Sequence, residues 1–204
     1  MESSRKGGED PAFARNPEFW SSETCFALTH RKRCYSNYLE SFRKGGHRGG
    51  VVIEGLEIKK LDVHEDERGS LFEILRSDEP MFTKFGQVYI SKCKPGWIKG
   101  WHYHKKQWDH FCVIKGRARI VLFDNRQDSK TFGEIGEYEV GGNNLMVLKV
   151  PPLVVHGFEC LGEEDCWLLN VPDQVYNREK PDEYRIPLND PSIPYERWKT
   201  RKGW

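Results

Sequence analysis

The chain has 204 residues, with 32 Lys and Arg against 31 Asp and Glu, for a formal net charge of +1. That length suits one domain with an appendage, and 37% hydrophobic residues allow one modest core. The near-neutral charge gives no support to a nucleic-acid role, no apolar run approaches the roughly 20 residues of a membrane span, and the polar start MESSRKGGEDPAF has no secretory h-region.

Residues 1–50 are basic, show little alternation and carry the near-repeats RKGG (Arg5–Gly8) and RKGGHRGG (Arg43–Gly50). They read as a flexible N-terminal arm. The glycine runs are not flanked by a strand and a helix, so a phosphate loop is not indicated. From Val51 to Trp204 the pattern changes to one domain of short β-rich runs. In order these are VVIEGLEIKKLDV, SLFEILR, QVYISKCK, DHFCVIKG, RARIVLFD, GEYEV, LMVLKV, VVHGFECL and CWLLNV. In RARIVLFD, Ala118, Ile120 and Leu122 point one way and Arg119, Val121 and Phe123 the other, a period of two. Strands this short, with turn residues such as IKGRA and GGNN between them, predict an all-β antiparallel sandwich or barrel. The Pro-, Asp- and Tyr-rich tail reads as loop with one short helix.

The six cysteines are Cys25, Cys34, Cys93, Cys112, Cys160 and Cys166. None has C-x-x-C spacing, which argues against a zinc ribbon or thioredoxin-type site. Several fall inside apolar runs, so free buried thiols and a cytoplasmic location are expected.

The chemistry concentrates between Gly96 and Gly116, where His102 and His104 stand two apart. On a strand they share a face, with Tyr103 turned away. His156 follows a double proline and begins a later strand. Asp109 is open to three roles: metal ligand, histidine-orienting carboxylate or rim ion-pair partner. His110 alternates away from Asp109 and reads as structural. Trp101, Trp108 and Tyr176 suit either core packing or stacking on a ring.

The spacing Gly96, His102, His104, Asp109, Gly116 resembles the first cupin motif, with Asp109 in place of the usual Glu. Pro151 and His156 are similar to the second, with Leu153 where that motif has Gly. The resemblance implies a cupin double-stranded β-helix (jelly roll). In metal-binding cupins the matching residues, here His102, His104, Asp109 and His156, hold one divalent metal ion, and N/O ligands of that kind suit Fe, Mn, Ni or Zn.

A second resemblance spans roughly residues 54–198. DERGSLFE, KGWHYH, LFDNRQDSKTFG, VPPLVVHGFECLGEED and LNDPSI resemble, in order, five motifs of the dTDP-4-dehydrorhamnose 3,5-epimerase family. That resemblance implies a metal-free, cofactor-free homodimeric epimerase or isomerase of a nucleotide-linked 4-keto-6-deoxy sugar in polysaccharide or deoxysugar biosynthesis. His102 takes the place of its general base. Arg68 and Lys99 fall at its phosphate-binding positions, and Glu73, Gln87, His156 and Tyr176 at substrate-contacting ones. The family's acid tyrosine falls at Leu169 and its enolate-stabilising lysine at Asp109, departures that leave a non-catalytic sugar-nucleotide binding protein as an alternative. HYHKK further resembles the H-A-H-K-K stretch of dTDP-sugar 3,4-ketoisomerases, which implies His104 as partner to His102 in proton shuttling. Early strands of such cupins swap between subunits, so Arg68 and Glu73 are expected to serve a neighbour's cavity. The chemistry suits the residues: removing a proton α to a ketone needs a base such as imidazole, and a diphosphate needs fixed positive charge.

Overall fold

A computed structural model describes residues 51–203; the arm expected over residues 1–50 lies outside the described residues. The β-rich runs form two antiparallel sheets. The first contains β1 (Glu57–Lys60), β4 (Tyr89–Cys93), β6 (Asp109–Lys115), β9 (Met146–Val150) and β11 (Cys166–Asn170), in the order β1-β9-β6-β11-β4. The second contains β5 (Trp97–Tyr103), β7 (Arg117–Asp124), β8 (Ile135–Gly141), β10 (Val154–Leu161) and β12 (Tyr184–Arg185), in the order β12-β5-β10-β7-β8. β13 (Lys202–Gly203) pairs parallel with β5. A separate hairpin is made by β2 (His64–Asp66) and β3 (Gly69–Leu71). The fold is the all-β cupin jelly roll.

Two expected strands are shorter than their apolar runs. Of VVIEGLEIKKLDV only Glu57–Lys60 pairs, because a turn at Glu54–Gly55 with Gly55 at φ +79° comes first. Of SLFEILR only the first residues join a strand; Phe72, Ile74 and Leu75 instead pack against Leu61, Met81, Cys112 and Val147.

The period-two alternation of β7 separates two environments. Ile120 faces the interior cavity, whereas Val121 and Phe123 face outward into a second core. The C-terminal tail closes that core with Leu188, Ile193, Tyr195 and Trp198, the last on the short helix α1 (Glu196–Lys199). Trp198 packs on Trp101 at 4.4 Å between ring centroids. Truncating a buried Trp of this kind costs about 3–5 kcal/mol, so the tail is part of the fold's stability. Trp101 therefore belongs to the core.

The tail packs this closely because two glycines face one another beneath it. A Cβ on Gly157 would lie 2.9 Å from Trp198 Cζ3 and 3.0 Å from Gly100 Cα. At the same place β5 carries a bulge: His156 pairs with His102, but Phe158 pairs with Lys99, so three steps on β5 match two on β10. The extra residue resets the alternation. Ile98 and Trp101 face the tail core while Lys99 and His102 face the cavity.

Leu153, at the glycine position of the second cupin motif, has φ +67°. The turn keeps the left-handed conformation that a glycine would supply without strain. Among the described residues no helix is long and apolar enough to cross a membrane.

Candidate active site

The jelly roll encloses a cavity of about 820 Å³ between the sheets. β5 supplies Lys99 and His102, and its continuation supplies His104; β10 supplies His156. Gln87 and Tyr176, both singled out from the sequence, also line it. Arg68 and Glu73 do not. Arg68 sits in the β2–β3 turn, ion-paired with Asp66 and with 85% of its side chain exposed; Glu73 follows the hairpin and pairs with Arg76 at 3.2 Å.

Beneath the cavity floor the histidines meet Asp109. His104 Nε2 is 3.3 Å from Asp109 Oδ2 and His156 Nε2 is 3.8 Å from the same oxygen. The other carboxylate oxygen accepts from Gln107 Nε2 at 2.8 Å and Asn170 Nδ2 at 2.7 Å. Of the three roles open to Asp109, this geometry is that of a histidine-orienting carboxylate and also that of a ligand; a buried carboxylate is not a rim residue.

The histidine Nδ1 atoms are committed elsewhere. Nδ1 of His104 faces the backbone carbonyl of Asp182, and Nδ1 of His156 faces that of Val154 at 3.1 Å. A carbonyl only accepts, so each Nδ1 carries a proton. Both Nε2 atoms then point at a carboxylate oxygen, and three acceptors converge unless a positive charge lies among them. A proton supplies that charge; so would a cation. The ligand atoms of His104, Asp109 and His156 lie within 4.8 Å of one another, and each Nδ1 contact is the backing that metal-binding histidines use. The donor set therefore fits a divalent ion. His102 is outside this group, so three of the four cupin-motif ligands are gathered.

His102 instead sits at the cavity wall, its ring 6.0 Å from that of His156. Burial, followed by the neighbouring His156, Arg185 and His104 and then Lys99, pushes it down to about 3. Burial likewise pushes His156 down to about 4, although Asp109 opposes the shift. Both shifts favour the uncharged imidazole at neutral pH.

Cationic groups line the cavity: Lys99, whose Nζ donates to Ser91 Oγ at 3.1 Å, Arg185, across from His102 on β12 and ion-paired with Glu183 at 2.7 Å, and Lys105, Lys106 and Lys180. The segment from Gln174 to Arg185 forms one wall. Asp182 fastens it, accepting the backbone N–H groups of Lys105, Lys106 and Gln107 at 3.0, 2.8 and 3.2 Å. Tyr176 is half-exposed at the rim. Trp108 lies under the Lys149 ammonium at 4.8 Å, and is not a cavity residue. His110 is fully buried, with Nδ1 2.8 Å from the Val171 carbonyl and Nε2 3.1 Å from that of Met81.

Several site residues escaped the sequence. Tyr89 and Ser91 stand two and four positions after Gln87, so period-two alternation from Gln87 would have found them. Asn170 follows the cavity residue Leu168 by two in the same way. Leu169, aligned with the family tyrosine, falls on the opposite face and does not line the cavity. For Asp182 and Arg185 there was no local signal.

Residues 64–184 match the family described as Polysaccharide biosynthesis C-terminal domain. The chain is 43% identical over 149 residues to the spore coat polysaccharide biosynthesis protein SpsL of Bacillus subtilis (strain 168), covering 73% of this chain and 98% of that protein. It is 39% identical to the probable low-salt glycan biosynthesis epimerase Agl13 of Haloferax volcanii, covering 67% and 89% respectively. Among solved structures, a dTDP sugar isomerase from Desulfovibrio desulfuricans G20 superimposes with a TM-score of 0.68 at 29% identity, covering 74% of this chain and 96% of that one. With the cupin fold, the histidine–carboxylate floor and these relatives in agreement, the chain belongs to the polysaccharide biosynthesis C-terminal domain family, among the cupin sugar epimerases and isomerases.

Proposed function

We propose that the protein is an epimerase or isomerase that acts by proton transfer on a nucleotide-linked, dTDP-type 4-keto-6-deoxy sugar in polysaccharide or deoxysugar biosynthesis. The observation that carries this is the placement of His102 on the wall of a cavity that Lys99 and Arg185 also line, beside the buried His156–Asp109–His104 group. A cavity of about 820 Å³ is of the size that holds such a ligand. The diphosphate lies against Lys99 and Arg185, and Tyr176 stacks on the base. Gln87 contacts the substrate. His102 takes the proton α to the ketone, and the C–H electron pair passes into the enolate. The arriving diphosphate offsets the charge of Arg185 and Lys99, two of the groups that depress His102, so the base strengthens as substrate binds. His104 is the partner of His102 in the H-x-H pair, and Asp109 holds the rings of His104 and His156 in place beside it.

Arg68 and Glu73 serve the cavity of a second subunit in a homodimer. The exposed hairpin with its apolar Leu71, and the exposed Val88 and Ile90 at the start of the edge strand β4, support this. Mass measurement by light scattering tests it, and a monomer at working concentration would refute it. A cytoplasmic location fits the four free, buried cysteines of the described residues.

Solvent deuterium exchange tests the chemistry. In D2O, the wild type should place deuterium α to the ketone of dTDP-4-keto-6-deoxyglucose, and His102→Ala should not. No exchange by the wild type would sink the assignment for that sugar.

A second reading is favoured by the three converging acceptors: a divalent ion held by His104, Asp109 and His156. Such an ion would supply Lewis-acid polarisation of the sugar ketone. Elemental analysis of the purified protein decides, since a stoichiometric metal that His104→Ala loses would overturn the metal-free account.

A further inference from the structure

The tyrosine expected on β11 is replaced by Leu169, which turns away from the cavity, yet a phenol faces the cavity one strand over. Leu169 pairs with Ile90 and Asn170 pairs with Tyr89 in the β11–β4 register. Tyr89 lines the cavity from the first sheet, and His102 lines it from the second. The two groups therefore approach a bound sugar from opposite sheets.

Asn170 fixes how the Tyr89 hydroxyl is used. Its Oδ1 accepts the His110 backbone N–H at 3.0 Å, so the amide cannot be flipped. Its Nδ2 donates to Asp109 Oδ1 at 2.7 Å and to Tyr89 Oη at 3.0 Å. The phenol oxygen is thus an acceptor toward the protein floor. Among the described residues Asn170 is the hydrogen-bond partner of this hydroxyl, which leaves the O–H proton for an acceptor in the cavity. Burial, then the charge of Asp109, pushes the phenol up to about 12. It therefore keeps its proton at neutral pH until an enolate takes it.

We propose that Tyr89 is the catalytic acid that returns a proton to the sugar carbon on the face opposite His102, making the reaction an inversion; this rests on the function proposed above. His102 removes the α-proton, and the C–H electrons become the enolate. The enolate electrons then form a new C–H bond with the Tyr89 proton, and the O–H electrons remain on the phenolate, held by the Asn170 N–H. The protonated His102 and the phenolate are each restored through water after product leaves. A ketoisomerase that moves one proton between adjacent carbons on a single face would have no use for this phenol.

The test uses the full chain, dTDP-4-keto-6-deoxyglucose and D2O, with product stereochemistry and deuterium content read by NMR. Tyr89→Phe keeps the ring and the Asn170–Asp109 bond, and its thermal unfolding should match the wild type. It should still exchange the α-proton, with retained configuration, at a rate within about threefold of wild type. Its inverted product should form at least about 100-fold more slowly, the scale of a lost general acid. His102→Ala should lose both. The proposal is overturned if Tyr89→Phe inverts the carbon within threefold of wild type, or if it loses exchange and inversion equally. An absence of exchange in the wild type would overturn the function itself, and so is distinct from either result.

Discussion

His104 and Asp109 form a buried pair, Nε2 to Oδ2 at 3.3 Å, at the end of β5 and the start of β6. His104 lines the cavity with His102, and Asp109 lies behind it, almost fully buried. Replacing Asp109 by Asn removes the charge but keeps an oxygen to accept from Gln107 and Asn170. kcat should fall about 100-fold while KM stays within threefold. Asp109→Ala leaves two amides and two imidazoles without a partner and should cost about 3–5 kcal/mol of stability. Steady-state kinetics and urea unfolding of the two variants separate these effects.

Stability should fall as pH falls from about 6.5. His156 is held down to about 4 and His102 to about 3, mainly by burial. The unfolded chain takes up a proton near pH 6.5 and the folded chain does not until lower pH. In that window the unfolded state binds more protons, so protons favour unfolding. His156 alone contributes about 3 kcal/mol, fully present above pH 6.5 and lost as pH falls through about 4. Urea unfolding between pH 7 and pH 4 should show the slope, and His156→Gln should flatten it. An unchanged slope in the variant would contradict the buried neutral state.

Asp182 secures the cavity wall through three backbone N–H groups and orients His104 through its own carbonyl. Asp182→Ala keeps the carbonyl but loses three charge-assisted bonds. A loss of about 2 kcal/mol is expected, together with a KM increase of about tenfold as residues 174–185 loosen. Proteolysis within that segment should speed up in parallel.

Leu153 occupies a left-handed conformation, with its N–H bonded to the His104 carbonyl at 2.6 Å. Leu153→Gly should keep that bond and relieve roughly 1 kcal/mol of backbone strain. The side chain is exposed, so little packing is lost. Thermal unfolding should show an unchanged or higher midpoint, and a drop of several degrees would show that Leu153 packs on something the backbone does not account for.

Much of the fold was legible because β-structure writes itself locally. Alternation in RARIVLFD, turns at Gly116 and Gly141–Asn144, and the ordered motifs each depend on residues a few positions apart. The H-x-H pair and His156 were legible for the same reason, as were Gln87 and Lys99. Where β1 and β3 stop was not, since the apolar residues beyond them serve a packing cluster that only three-dimensional neighbours define.

What the sequence alone determined is therefore the all-β class, the family motifs and the histidines that line the cavity, all of them matters of short spacing. Tertiary structure decided the rest. The β5 bulge turns His102 and Lys99 into the cavity and Trp101 out of it. The β11–β4 register places Asn170 beside Tyr89, and the fold of the tail brings Asp182 to His104 across 78 residues. Such pairings follow from strand register and closure of one sheet on the other, where a shift of one residue exchanges the inner and outer faces, and no local pattern encodes that choice.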